Sequence, residues 1–96
     1  MLTLDGYPHR GQPICLSEFG GIAFVKDQRE SASTWGYTWA RSLDEYEKMC
    51  FGLISVARTA AMFSGFCYTQ FTNTFQEVNG LLYADRTPKL PLSNVT

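Results

Sequence analysis

Histidine is almost missing from this sequence: His9 is the only one in 96 residues. Cysteine is scarce and odd in number, at Cys15, Cys50 and Cys67, with no C-x-x-C spacing. Zinc sites draw on clustered Cys and His, so no metal and no other cofactor is expected. A disulfide framework is not expected either, since thiols set singly in apolar stretches behave as small buried hydrophobes. Positive charge is neither abundant nor clustered. Eight Lys and Arg stand against nine Asp and Glu, giving a net charge of −1. No basic stripe is there to follow a phosphate backbone, which argues against nucleic acid as a partner. Residues 1–8, Met-Leu-Thr-Leu-Asp-Gly-Tyr-Pro, have no charged lead and no long apolar run. They read as neither a signal peptide nor a membrane span. The expected compartment is the cytoplasm, with a secreted parent protein left open because a signal would then lie at the far end of a longer chain. Internal repeats and low-complexity stretches are also lacking.

What is present is a globular composition, 45% hydrophobic and 18% charged, fitting one small domain over residues 1–96. Aromatics reach 15%, a surplus that asks for a core or a ligand platform. Residues 2–12 read as an irregular lead-in. Ile14-Cys15-Leu16 is a short continuous apolar run after Pro13, expected as a parallel strand covered on both faces. From Phe19 to Arg41 no period emerges, and a connection of that length without regular structure is usually functional or mobile.

The clearest element follows. Ser42-Leu43-Asp44-Glu45 has the S-x-x-E form of a capping box. Leu43, Tyr46, Cys50, Leu53, Ile54, Ala57 and Ala61 then recur at helical spacing, and Gly65 stands where a C-cap glycine belongs. A helix is predicted over about 43–64. Phe66-Cys67-Tyr68-Thr69-Gln70-Phe71 is rich in β-formers and reads as a second strand, followed by the turn-like 73–80 segment and the proline-bearing loop 85–91. The order is strand, long loop, helix, strand, long loop. It predicts an α/β fold with a parallel strand pair. One helix cannot cover both faces of such a pair, so the sequence asks for neighbours it does not contain.

Glu18 ends the first predicted strand, directly before Phe19-Gly20-Gly21. Paired glycines allow a sharp turn and leave room beside a ligand. A carboxylate at a strand end is a modest sign of catalysis, and a solvated or salt-bridged Glu explains it as well. Trp35, Tyr37 and Trp39 could pack on the apolar face of a sugar ring, or equally form a hydrophobic lid. Thr69, Gln70 and Asn73 lie at the end of the second strand and just behind it. Glu77 reads as a loop anchor, Asp27 and Glu30 as solvated acids, and His9 and Arg10 as exposed residues ahead of the first strand.

Gln12-Pro13-Ile14-Cys15-Leu16-Ser17-Glu18-Phe19-Gly20-Gly21 resembles the seventh-strand motif of family 2 glycoside hydrolases, the β-galactosidase, β-glucuronidase and β-mannosidase group. Gly65 to Asn73, then Gln76 to Leu82 and Asp85 to Lys89, resemble the eighth strand and following loop in a bacterial branch of that family. The two blocks are in order and cover nearly the whole chain. The resemblance implies a C-terminal fragment of a catalytic (β/α)8 TIM barrel, about its last two βα units. It implies that Glu18 is the nucleophile of a retaining β-glycosidase, with a β-galactoside as the first substrate choice. The expected substrate-binding residues are Trp35 and Trp39, for their flat apolar faces, and Thr69, Gln70 and Asn73, for their place at the end of the second strand on the active face. Two departures blur the sugar: Asn73 stands where an Asp is common, and Thr69 near where some branches have a tryptophan.

Retention needs a second carboxyl about 5–5.5 Å from the nucleophile, which in the family follows an Asn. No Asn-Glu pair occurs in this sequence. The chain alone is therefore expected to be inactive, with a carbohydrate substrate and either the remainder of the barrel or a second copy as partners. The alternatives are a carbohydrate-binding piece without catalysis and a protein-interaction module.

Overall fold

The computed structural model describes residues 2–94. Through Pro13 the chain is exposed and forms no strand. The first strand, β1, is Cys15–Gly20; β2 is Ile22–Ala23 and β3 is Thr38–Trp39. Helix α1 spans Leu43–Thr59, and β4 is Gly65–Thr69. Short 3-10 turns occupy Gln28–Ser33 and Leu92–Asn94. β1 pairs with β4 and β2 with β3, both in parallel. Each parallel pair is joined by a crossover. The β1–β4 crossover contains α1, which packs on β1, β2 and β4.

The core centres on the segment just after the twin glycines. Residues 22–25 are all buried, and their side chains alternate between two clusters, as strand geometry requires. Ile22 and Phe24 join Ala40, Tyr46, Cys50 and Leu90 on one face, while Ala23 and Val25 meet Val78 on the other. Backbone bonds hold this segment from both sides: Phe24 N–H donates to Val78 O at 3.1 Å, and Ala40 N–H to Ala23 O at 2.9 Å.

Several expectations need correction. The fold is mixed α/β, but the chain does not form the expected piece of a (β/α)8 barrel. A barrel arc needs its strands in one continuous, staggered sheet with alternate side chains packed inwards. Here the strands lie in two separate two-stranded sheets, and β1 and β4 leave Cys15, Ser17, Glu18, Phe66 and Cys67 exposed. The run covered on both faces is 22–25 rather than Ile14-Cys15-Leu16, because none of the described residues covers the outer face of β1. For the same reason only Cys50 of the three thiols is buried. The Phe19–Arg41 stretch is also more ordered than its lack of period suggested, since short strands fit below the length that a period can reveal.

Helix α1 begins as expected, with Ser42 Oγ accepting from Glu45 N–H at 3.1 Å. The return bond runs one residue further back: Glu45 Oε2 accepts from Arg41 N–H at 2.6 Å. Its end is five residues earlier than the predicted one. Thr59 Oγ1 turns back onto Ser55 O at 2.8 Å, Ala60 becomes extended, and Ser64 N–H donates to Ile14 O at 2.7 Å. That last bond leads the chain into β4, so Gly65 is a strand residue and not a helix cap. Only Tyr46, Cys50 and Ala57 of the predicted stripe are buried, while Leu43 and Leu53 are exposed. Among the described residues, no helix is long and apolar enough to cross a membrane.

Candidate functional site

The pairing of β1 with β4 is irregular at one place. Leu16 faces Phe66 and Phe19 faces Tyr68, so the step from Leu16 to Phe19 holds one residue more than the step opposite. The extra residue falls at Ser17–Glu18. Bulges re-aim a side chain and end regular pairing, and they are frequent beside active sites. Glu18 is thus lifted out of the ladder at its carboxyl-terminal half, where the strand gives way to the glycines.

Gly20 and Gly21 have φ of +117° and +72°, values that L side chains rarely adopt. Space is as restrictive as conformation. A Cβ on Gly20 would stand 2.6 Å from Thr69 O, and one on Gly21 would stand 2.7 Å from Tyr37 Cδ2. The two bare glycines let Gly21 N–H reach Thr69 O at 3.0 Å, while Gly21 O accepts from the N–H groups of both Tyr37 (3.0 Å) and Thr38 (3.1 Å). The end of β1, the end of β4 and the ring of Tyr37 are so drawn to one spot. Together Glu18, Phe19, Gly20, Gly21, Tyr37 and Thr69 line a depression of about 120 Å3. Among the described residues, Glu18 is the only acid lining it.

The other sequence-predicted site residues are divided among different places. Thr69 is beside Glu18. Trp35 and Trp39 line a separate hollow with Ser31, Thr34, Ala40 and Arg41, so the fold does not bring them to the carboxylate. Trp35 touches Tyr37 edge-on, with ring centroids 5.8 Å apart. Beside Phe19, the ring that lines the Glu18 depression is that of Tyr37 and not of either tryptophan. The Gly21 carbonyl, which Tyr37 N–H reaches only in the tertiary structure, distinguishes it from the two tryptophans. Gln70 does not line the Glu18 depression, and its carbonyl accepts from Leu81 N–H at 2.9 Å. Its Nε2 is buried without a partner. Glu77 closes a tight turn with Thr74 through two backbone bonds and does not line the Glu18 depression. Asp27 caps the 3-10 turn and pairs with Arg29 at 2.8 Å, which holds its carboxyl below the usual carboxylate value.

Asn73 belongs to a polar core that the sequence did not disclose. Its Oδ1 accepts from Gly80 N–H and from Lys89 Nζ, both at 2.9 Å, and Lys89 Nζ also donates to Val78 O at 2.8 Å. Lys89 is only 4% exposed. Its ammonium stands 5.2 Å from the centroid of the Tyr46 ring and 5.6 Å from that of Tyr83, and burial drags its pKa down to about 8. Tyr46 Oη donates to Gly80 O at 2.9 Å, and Cys50 Sγ lies 3.1 Å from Tyr68 Oη. Burial pushes the Tyr46 and Tyr68 hydroxyls and the Cys50 thiol up, which keeps all three neutral. Asn79 is fully buried, with both ends of its amide unpartnered. Among the described residues, no group of three or more His, Cys, Asp or Glu could hold a metal ion.

The fold and site define a class no narrower than a mixed α/β chain with a bulged, strand-borne carboxylate beside a twin-glycine turn. Neither the protein-family models nor the curated proteins include a match to this chain.

Proposed function

We propose that this chain supplies the nucleophile of a retaining β-glycosidase of the family 2 kind, with Glu18 as the attacking carboxylate and a β-galactoside as substrate. The observation that carries the reading is the bulge at Ser17–Glu18, which frees this carboxylate beside Gly20-Gly21, Thr69 and Tyr37. The likeness of the two sequence blocks supplies the reaction class. In that reaction a Glu18 oxygen bonds to the anomeric carbon as the bond to the leaving oxygen breaks. Water later cleaves the glycosyl ester with retention.

The proton for the leaving group comes from a second carboxyl, carried by polypeptide outside these 96 residues. That polypeptide is the proposed partner, docking on the exposed apolar residues of β4 and α1, such as Phe66, Leu53 and Val56; self-association through the same faces is its competitor. Exposed free thiols at Cys15 and Cys67 suit a reducing compartment, and the cytoplasm is the proposed location.

Binding of a cationic iminosugar, isofagomine, tests the reading on the chain itself. Titration followed by NMR is expected to move the amides of Glu18, Gly20, Gly21, Tyr37 and Thr69, with Kd on the order of 1 mM. Glu18→Gln is expected to abolish these shifts, and Trp39→Ala to leave them within about twofold, or roughly 0.4 kcal/mol. Shifts that survive Glu18→Gln would overturn the assignment. The chain alone is expected to show no hydrolysis of an aryl β-galactoside, since an absent general acid costs about 10²–10⁴-fold. Turnover at the rate of a complete glycosidase would contradict the need for a second polypeptide.

A further inference from the structure

A second and larger hollow, of about 640 Å3, opens between the 26–34 and 73–85 segments and shares no lining residue with the Glu18 depression. Its size is that of small-molecule sites, which run to about 300–1,000 Å3. The polar core builds one wall of it, through Asn73 and Val78. Asn73 Oδ1 already accepts two bonds from the interior, from Gly80 and Lys89. That fixes the orientation of the amide and leaves Nδ2 as the end free to donate; no described residue accepts from it, and it is not among the sealed, unpartnered atoms. Lys89 thus acts from behind the wall, holding a donor in place.

The rest of the lining has a mixed character. Lys26 Nζ stands 4.2 Å over the Tyr83 ring, a cation held on an aromatic face. Glu30 and Asp85 add carboxylates to the lining; Asp85 uses one oxygen to cap Thr87 N–H at 2.9 Å. Phe75 stands at the edge with φ +46° and 94% exposure, an aromatic ring that its own chain does not use for packing. One ammonium against two carboxylates gives no site for a phosphate or other strong anion. Alternating donors and acceptors beside a bare aromatic face suit a neutral ring that carries many hydroxyls.

We infer that this hollow is an accessory saccharide site, in which Asn73 Nδ2 and Lys26 donate to hydroxyl oxygens, Glu30 and Asp85 accept from hydroxyls, and Phe75 covers the apolar face of the ring. The site itself does not use Glu18; only the choice of a galactoside as probe rests on the glycosidase reading.

Titration of the full chain with methyl β-D-galactopyranoside, followed by NMR, tests it. Saturable shifts are expected at the Asn73 side-chain amide and at the backbone amides of Phe75, Tyr83 and Lys26, and these are expected to persist in Glu18→Gln. Phe75→Ala should weaken binding about tenfold, the factor that a loss of about 1.4 kcal/mol produces. Its ring is so exposed that the fold will not notice, which an unchanged amide spectrum away from residue 75 will verify. Lys26→Met should weaken binding as well, through loss of a donor. Absence of saturable shifts at these groups, or shifts indifferent to both variants, would overturn the inference. Shifts confined to the Glu18 depression would also overturn it while leaving the glycosidase reading standing. Shifts at Asn73 with none of the sugar probes registering at Glu18 would do the reverse.

Discussion

Asn73→Asp is the most informative single change, because it gives a buried cation the counter-ion it lacks. In the wild-type chain Lys89 Nζ is held by the Asn73 carbonyl oxygen and the Val78 carbonyl, with Tyr46, Tyr83 and Cys50 around it. None of these is a carboxylate. Burial lowers the ammonium's pKa from 10.5 to about 8. Below pH 8 the group is charged in both folded and unfolded chains, so the fold bears the full cost of burying the charge. Between pH 8 and 10.5 the unfolded chain holds the proton that the folded chain has released, and stability rises with pH.

At about 1.4 kcal/mol per pH unit, that rise reaches about 2 kcal/mol by pH 9.5. Cys50, Tyr46 and Tyr68 act in the opposite sense. Their raised folded pKa values contribute stability that is lost as pH climbs above their unfolded values. Those contributions are common to wild type and variant, so the difference between the two isolates Lys89. A carboxylate 2.9 Å from Nζ would return the ammonium's pKa towards 10.5 and remove the rise. It would still accept from Gly80 N–H as Asn73 does. The expected result, from urea unfolding at pH 7 to 9.5, is a stability of Asn73→Asp relative to wild type that falls by about 2 kcal/mol across that range. The desolvation cost of the new carboxylate offsets the curve without changing its slope. A difference that stays flat with pH would refute the account of Lys89 as a buried, unpaired cation.

Further outcomes follow from the same contacts. Gly20→Ala should destabilise the chain by about 3 kcal/mol in urea unfolding, since its Cβ would meet Thr69 O at 2.6 Å in a backbone conformation only glycine accepts readily; a loss below about 0.5 kcal/mol would show that the turn is not constrained. Tyr46→Phe leaves the buried Gly80 carbonyl without its donor and should cost about 1–3 kcal/mol by the same measurement. A thiol reagent should label Cys15 and Cys67 promptly and Cys50 only on unfolding, because the last alone is buried; mass spectrometry of the digested chain would read this directly.

The sequence by itself determined the features that rest on neighbours along the chain. Ser42 and Glu45 mark the start of α1 through local hydrogen bonds, the β-formers of 66–69 mark β4, and a helix between two strands fixes their parallel sense. Glu18 was expected to end its strand, but β1 runs on to Gly20 and Glu18 sits at the bulge within it, because pairing of Phe19 and Gly20 with Tyr68 and Thr69 continues the ladder. The end of α1 was not visible, because a bond between Ser64 and Ile14, fifty residues apart, overrides the helical stripe. The Ile22-Ala23-Phe24-Val25 run was apolar in plain view, yet it is too short for periodicity to distinguish it from a loop, and its two-sided burial depends on Val78 and Tyr46 arriving from elsewhere. Only the tertiary structure decided that the strands form two small sheets rather than a barrel arc, since no one-dimensional pattern specifies which strand edges will meet. It alone placed Tyr37 rather than Trp35 or Trp39 at Glu18, through a hydrogen bond to a glycine carbonyl. It alone gathered Asn73, Gly80 and Lys89 into a polar core. A lysine near a proline reads as solvated along the chain, and its burial arises only when distant carbonyls close around the ammonium.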